Sequence, residues 1–154
     1  MRIIEDDLTG DVVIALLLEH LNDMRRISPP ESCHVLDVEG LRAPEITFWS
    51  AWDGGELGGC AALKEMNPTT GEIKSMRTVR THRGRGIGAR LLEHLLAEAE
   101  RRSYATLYLE TGSMAEFEPA RNLYAKYGFE RCGPFGSYVT DPNSVFMMKR
   151  LGES

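Results

Sequence analysis

Apolar positions along this chain recur at two periods, and the switches between them outline its elements. Residues 1–5 read as a short first strand. From Asp11 to Met24, Val12, Val13, Leu16, Leu17, His20, Leu21 and Met24 recur at helical spacing and form one apolar face. Asp11 is placed to cap that helix, and Ser28-Pro29-Pro30 to end it. Residues 31–44 read as irregular, or as holding one further helical turn.

The period then shortens. Ile46 to Trp52 is rich in β-branched and aromatic residues, Asp53-Gly54-Gly55 is a hairpin signal, and Leu57 to Met66 is the returning strand. Trp49 and Trp52, three apart on a strand, face opposite sides. Pro68-Thr69-Thr70-Gly71 reads as a turn, and Glu72 to Val79 as a third, rather polar strand. Ile87, Leu91, Leu92, Leu95, Leu96 and Ala99 mark a second amphipathic helix ending near Arg102. Ala105 to Thr111 is a strand. Pro119 to Tyr127 is a helix, with proline in its first turn and Gly128 at its exit. Phe129 to Phe135 and Val145 to Leu151 are two late strands joined by a turn-rich loop. The order β-α-(α)-β-β-β-α-β-α-β-β predicts an α/β class with a mixed α+β sheet, in one domain over 1–154.

Composition narrows the partners. Of 154 residues, 42% are hydrophobic and 27% charged, a balance that argues against disorder. The net charge of −5 excludes general nucleic-acid binding, so any basic cluster is a local island for a specific anion. Three cysteines, Cys33, Cys60 and Cys132, are odd in number and widely spaced. They predict no disulfide framework, small apolar filler roles and a reduced, cytoplasmic setting. His20, His34, His82 and His94 show no metal-ligand spacing, so no metal is expected. The N-terminus turns acidic at Glu5-Asp6-Asp7, too early for a signal peptide. No apolar run approaches the ~18 residues that cross a membrane.

The chemistry gathers at Arg83-Gly84-Arg85-Gly86-Ile87-Gly88, directly before a helix. Glycines let backbone N–H groups converge, the helix start adds partial positive charge and the arginines add full charge. That is a cradle for a polyanion, most plausibly a pyrophosphate. A Walker loop would need Gly-Lys-Ser/Thr, but the chain has Gly88-Ala89-Arg90. A dinucleotide fingerprint fits Gly84-x-Gly86-x-x-Ala89, with Glu110 as the ribose acid. The polar strand before it and the hairpins upstream argue against a buried parallel sheet. A solvated surface turn leaves three glycines in five positions unexplained.

The run resembles the acyl-CoA-binding motif Arg/Gln-x-x-Gly-x-Gly/Ala of the GNAT superfamily of N-acetyltransferases. Ala120-Arg121-Asn122-Leu123-Tyr124-Ala125-Lys126-Tyr127-Gly128-Phe129 resembles that family's second signature, Ala-x-x-Leu-Tyr-x-x-x-Gly-Phe. The element order matches essentially the whole chain, and the late segments around Cys132 and Asp141 resemble small bacterial members. The resemblance implies a GNAT fold using acetyl-CoA as co-substrate. Arg83, Gly84, Arg85, Gly86, Ile87, Gly88 and Ala89 would hold the coenzyme A pyrophosphate. Met76, Arg77 and Thr78 would pair by backbone with its pantetheine arm, as an added strand does. Many relatives have Asn where this chain has Phe117, so Phe117 would instead wall the acceptor pocket.

An alkyl amine of pKa ~10.4 is mostly protonated at neutral pH, so its acetylation needs a proton acceptor. Glu110 ranks first as base and Glu72 second, with Lys64 and Lys74 nearby as pairing partners. Backbone N–H groups near Met76–Thr78 would stabilise the thioester oxygen. The resemblance implies Tyr124 as the acid that protonates the leaving thiolate. Against that stands plain core packing, with Tyr127 as an internal comparison. Glu65, Phe117 and Tyr138 are candidate acceptor contacts, while Asp141 and Asn143 are as well explained by turn chemistry. The expected activity is direct acetyl transfer in a ternary complex, to a small-molecule amine or a peptide N-terminus. No cysteine is placed as a nucleophile, and a homodimer is common in the family. The alternatives are a non-catalytic acyl-CoA-binding module and an NAD-type dinucleotide-binding protein.

Overall fold

The computed structural model describes residues 1–152; Glu153 and Ser154 of the expected 1–154 domain lie outside them. Seven strands and four α-helices follow in the order β1 (Arg2–Glu5), α1 (Asp11–Ile27), α2 (Val38–Leu41), β2 (Ile46–Asp53), β3 (Glu56–Asn67), β4 (Thr70–Thr78), α3 (Ile87–Arg101), β5 (Thr106–Gly112), α4 (Glu118–Lys126), β6 (Glu130–Cys132) and β7 (Ser144–Arg150). They form one mixed sheet in the order β1-β2-β3-β4-β5-β7-β6. Every neighbouring pair is antiparallel except β4 and β5.

The alternation of β2 and β3 splits the core into two. Trp49, Ala51, Ala61 and Leu63 point to the face covered by α3, where Leu91, Leu92 and Leu95 are fully buried. Burying each of those leucines stabilises the fold by roughly 1.5–3 kcal/mol. Phe48, Cys60 and Ala62 point to the opposite face, under Val13, Leu16 and Leu17 of α1. Trp52 takes that second side and stays partly exposed, opposite Trp49 as its spacing requires. Gly59 lets α3 settle close, since a Cβ there would stand 3.1 Å from Leu91 Cδ1 and 2.6 Å from the Arg77 carbonyl. Cys60 is buried without a disulfide and its thiol is pushed up to about 12 by burial, consistent with a filler role.

Three local expectations shift. Asp11 sits inside the first turn of α1, the N-cap is Gly10, and no side chain caps the helix. The carboxylate therefore acts only through the helix dipole. The helix runs three residues past Met24 and stops at Ser28, whose extended conformation suits the residue before a proline. The turn after β3 is shorter than Pro68–Gly71, because Thr70 already pairs in β4 and Asn67 Oδ1 accepts the Thr69 N–H at 3.0 Å. The strand expected over Phe129–Phe135 shrinks to Glu130–Cys132. Pro134 offers no N–H to a ladder, and Phe135 leaves the sheet edge to stack on Tyr108 at 4.6 Å between ring centroids.

Candidate active site

β4 and β5 pair only from Thr70↔Thr106 to Ile73↔Leu109. Beyond Ile73 the strands part, while Arg77 and Thr78 remain paired with Cys60 and Gly59 of β3. The parting leaves one edge of β4, from Lys74 to Thr78, without a strand partner. Ser75 stands in the middle of that edge with φ +52, the kink that turns the strand away. This is the splay expected beside Met76–Thr78.

A cavity of about 450 Å³ fills the gap. One end is bordered by Met76, Thr78, Arg80 and Arg83, the other by Glu72, Glu110 and Tyr138. Gly84 and Gly86 adopt φ +79, which side-chain-bearing residues rarely do, and nothing lies within 4 Å of where either Cβ would stand. Gly86 is the N-cap of α3. The result is an open, left-handed turn with the helix N-terminus behind it. It fits a pyrophosphate by backbone approach and dipole together. Gly88 serves contact instead, since a Cβ there would meet Leu123 Cδ2 at 3.4 Å. Ile87 turns its side chain into the core, so only its backbone belongs to the cradle. Arg85 leans outward to Asp53, 3.6 Å away and exposed. Arg83 borders the cavity.

The Arg77 side chain does not serve the groove as a cofactor contact. Its guanidinium is buried against α1, with Nη2 donating to Glu19 Oε1 at 2.9 Å and to Asp23 Oδ2 at 2.5 Å. His20 lies beside it, with Nδ1 3.4 Å from Arg77 Nη1. Burial, then the Arg77 charge, lowers His20 to about 4, so it stays neutral at pH 7. No local pattern along the chain marks this cluster. Glu19 and Asp23 on a surface helix look like an ordinary solvated face.

The two proton-transfer candidates lie along the same gap. Glu110 is next on β5 after the last paired residue, and burial raises its carboxyl to about 7. Glu72 adds to that rise, while the Ser144 hydroxyl and Lys74 oppose it. Tyr124 is 7% exposed and lines the cavity, and burial together with Glu110 pushes its phenol to about 12. It packs edge-on to Phe129 as core packing demands, yet its hydroxyl accepts and donates no bond among the described residues. Tyr127, off the motif position, instead donates to Glu93 at 2.6 Å on the surface.

Glu72 is tied where Glu110 is not. Its Oε2 takes bonds from Lys74 Nζ at 3.2 Å and from the Tyr138 hydroxyl at 2.7 Å. Tyr138 hangs in the β6–β7 loop, which is fastened a second time by Ser32 Oγ donating to Asp141 Oδ2 at 2.5 Å. Asp141 also accepts the Asn143 N–H at 2.8 Å, so turn chemistry and loop anchoring share these residues. Phe117 walls the cavity and lies flat on Gly112, where a Cβ would stand 2.2 Å from its ring. Glu65 is misplaced as an acceptor contact. It accepts from Tyr104 at 2.7 Å, near the β3–β4 turn and outside the cavity lining.

The match to known proteins agrees with this geometry. Residues 14–129 match the model of the acetyltransferase (GNAT) family. The chain belongs to the GNAT family. It is 58% identical over 151 residues to the uncharacterized N-acetyltransferase YsnE of Bacillus subtilis, covering 98% of this chain and 100% of that one. It is 40% identical over 142 residues to the IAA acetyltransferase of Azospirillum brasilense, covering 92% of each. A crystal structure from Klebsiella pneumoniae, assigned as an acyl-CoA N-acyltransferase, superposes with a TM-score of 0.79 at 29% identity over 97% of each chain. This GNAT protein is an acetyl-CoA-dependent N-acetyltransferase, which removes the purely binding alternative. A dinucleotide fold fails on topology, because only one pair of neighbouring strands is parallel. Among the described residues no three His, Cys, Asp or Glu side chains converge to hold a metal, and no helix is long and apolar enough to cross a membrane.

Proposed function

We propose that the protein transfers the acetyl group of acetyl-CoA to a primary amine by direct attack within a ternary complex. The observation that carries the reading is a near-neutral carboxyl, Glu110, in the same gap as a buried, unpartnered tyrosine hydroxyl, Tyr124. Bound acetyl-CoA supplies an activated acyl carbon and a thiolate leaving group. Arg83 and the 84–89 turn hold its pyrophosphate, and the free edge of β4 pairs with its pantetheine arm.

The proton work divides between two residues. Glu110 has a pKa close to working pH, the condition under which a carboxylate both accepts a proton and releases it. It takes one proton from the bound ammonium so that the neutral amine attacks the thioester carbon, and the second N–H proton, shed as the C–S bond breaks, replaces the one that Tyr124 gives up. Tyr124 stays protonated at pH 7 and gives its proton to the departing sulfur. Glu72 is held by Lys74 and Tyr138 and positions rather than transfers. Backbone N–H groups on the β4 edge stabilise the oxygen as it gains charge. Cys60 is buried with its thiol pushed up to about 12, and neither the Cys33 nor the Cys132 side chain makes a hydrogen bond among the described residues, which supports direct transfer over an acyl-cysteine route.

CoA release measured against a panel of primary amines tests the reading. Amine-dependent release that rises through pH 7 supports it. Release that needs no amine, or a covalent acetyl-enzyme trapped by mass spectrometry, overturns it.

A further inference from the structure

Glu72 is an unusual carboxylate. Its side chain is only 4% exposed, yet both of its bonds converge on one oxygen, Oε2. No bond reaches Oε1 among the described residues, and that atom stays accessible. Glu72 lines the cavity, so the opening is toward it. A carboxylate oxygen that opens on a cavity and has no protein donor is left to water, a place that a polar group of the substrate can take. A donor arriving with substrate would fill it.

Its position is fixed relative to the base. Glu72 pairs with Tyr108, and Glu110 follows two residues on, facing the same side of the sheet. One strand spacing and two residues of rise put their Cα atoms about 8 Å apart. A small molecule whose amine is at Glu110 therefore has a second functional group within reach of Glu72 Oε1.

Charge says what that second group is. Lys74 already neutralises Glu72 at 3.2 Å. Glu110 neutralises the incoming ammonium and carries its proton after transfer begins. A second ammonium would add an uncompensated charge beside Lys74. A carboxylate would face Glu72 and Glu110, both of which line the cavity. An uncharged O–H or N–H donor leaves the cavity balanced and gives Oε1 its bond. Building on the amine-transfer reading above, we infer that Glu72 is a specificity-determining residue, and that the acceptor class is a primary amine bearing a neutral hydrogen-bond donor two or three bonds away, as in amino alcohols. Lys74 and Tyr138 are positioning residues that aim Oε1 into the cavity.

The test compares four small acceptors with the intact protein: ethanolamine, ethylamine, ethylenediamine and glycine. The expected kcat/KM for ethanolamine exceeds that for ethylamine by about tenfold, the value of one good hydrogen bond. Ethylenediamine and glycine fall below ethanolamine. In Glu72→Gln the preference for ethanolamine over ethylamine collapses toward one, while acetyl-CoA still raises the melting temperature. Equal rates for ethanolamine and ethylamine, or preference for the diamine or glycine, overturn the inference while leaving amine transfer intact. Failure of all four amines in the wild type, with acetyl-CoA still bound, overturns both readings. Should Glu72→Gln not fold, the wild-type series alone decides the matter.

Discussion

Arg77 Nη2 stands 2.5 Å from Asp23 Oδ2 and 2.9 Å from Glu19 Oε1, binding the strand at the groove to the helix across from it. The Arg77 side chain is 7% exposed, so this is a buried junction. It sets the distance between the β4 edge and the α1 wall that carries His20, Met24 and Ile27. Removing the cation leaves Asp23, whose side chain is 19% exposed, without its partner, while Glu19, 46% exposed, can turn to solvent. Arg77→Met is expected to cost about 2 kcal/mol, the scale of a lost charge-assisted hydrogen bond, read as a lowered urea midpoint. Asp23 is held low by that bond, so its share of the stability is present above the unfolded carboxylate pKa and is lost as pH falls through the folded one.

Tyr124→Phe removes one oxygen from a site where nothing else binds it. Packing against Phe129 is kept. The expected result is a kcat lower by about 10²-fold with an unchanged dissociation constant for acetyl-CoA. Calorimetry and steady-state kinetics separate the two. Unchanged kcat would assign the proton to water instead.

Glu110→Gln tests the base and carries a second signature. With a carboxyl raised to about 7 by burial, wild-type activity at low amine should climb through pH 7 as the carboxylate forms. The variant should lose that rise along with most of its turnover. Stability moves the other way. A carboxyl whose folded pKa is raised binds more protons folded than unfolded, so its ionisation destabilises the fold progressively above the unfolded pKa. The variant should melt a few degrees higher than wild type at pH 8 and no higher at pH 4.

Gly86→Ala places a side chain at φ +79, at the N-cap of α3. The expected cost is about 1–2 kcal/mol of stability and a weaker hold on coenzyme A. Gly10→Ala, also at an N-cap but with φ −78, provides the comparison and should be nearly neutral for coenzyme affinity.

The element order, the hairpin at Gly54-Gly55 and the cradle at Gly84 and Gly86 were all legible because each has a local cause: a period, a turn or a φ. Phe117 does line the cavity, and β4 and β5 do part as the polar strand suggested, although where they part, after Ile73, had no mark in the sequence. What escaped was non-local. Glu72 and Glu110 look alike as acids on polar strands. Only the loop carrying Tyr138, 66 residues away, ties one and leaves the other free. Glu65 looked equivalent to both, and Tyr104 claimed it from the far side of a turn. Arg77 followed the groove in the chain but answered to charges 54 and 58 residues earlier.

The four-residue ladder between β4 and β5 has a consequence for how the molecule assembles. β2 to β4 form a meander of neighbouring hairpins, with β1 added to its edge across α1 and α2, and β5 to β7 form a second antiparallel unit. The strand pairing that joins one to the other is Thr70–Ile73 with Thr106–Leu109, across the whole of α3. Hairpin contacts are short in sequence and close early, whereas this seam must wait for the intervening loop and helix. Truncating Leu109 at the seam should therefore quicken unfolding far more than it slows folding, which stopped-flow rates would show. The two strands whose parting opens the cavity are then also the last to be knit together.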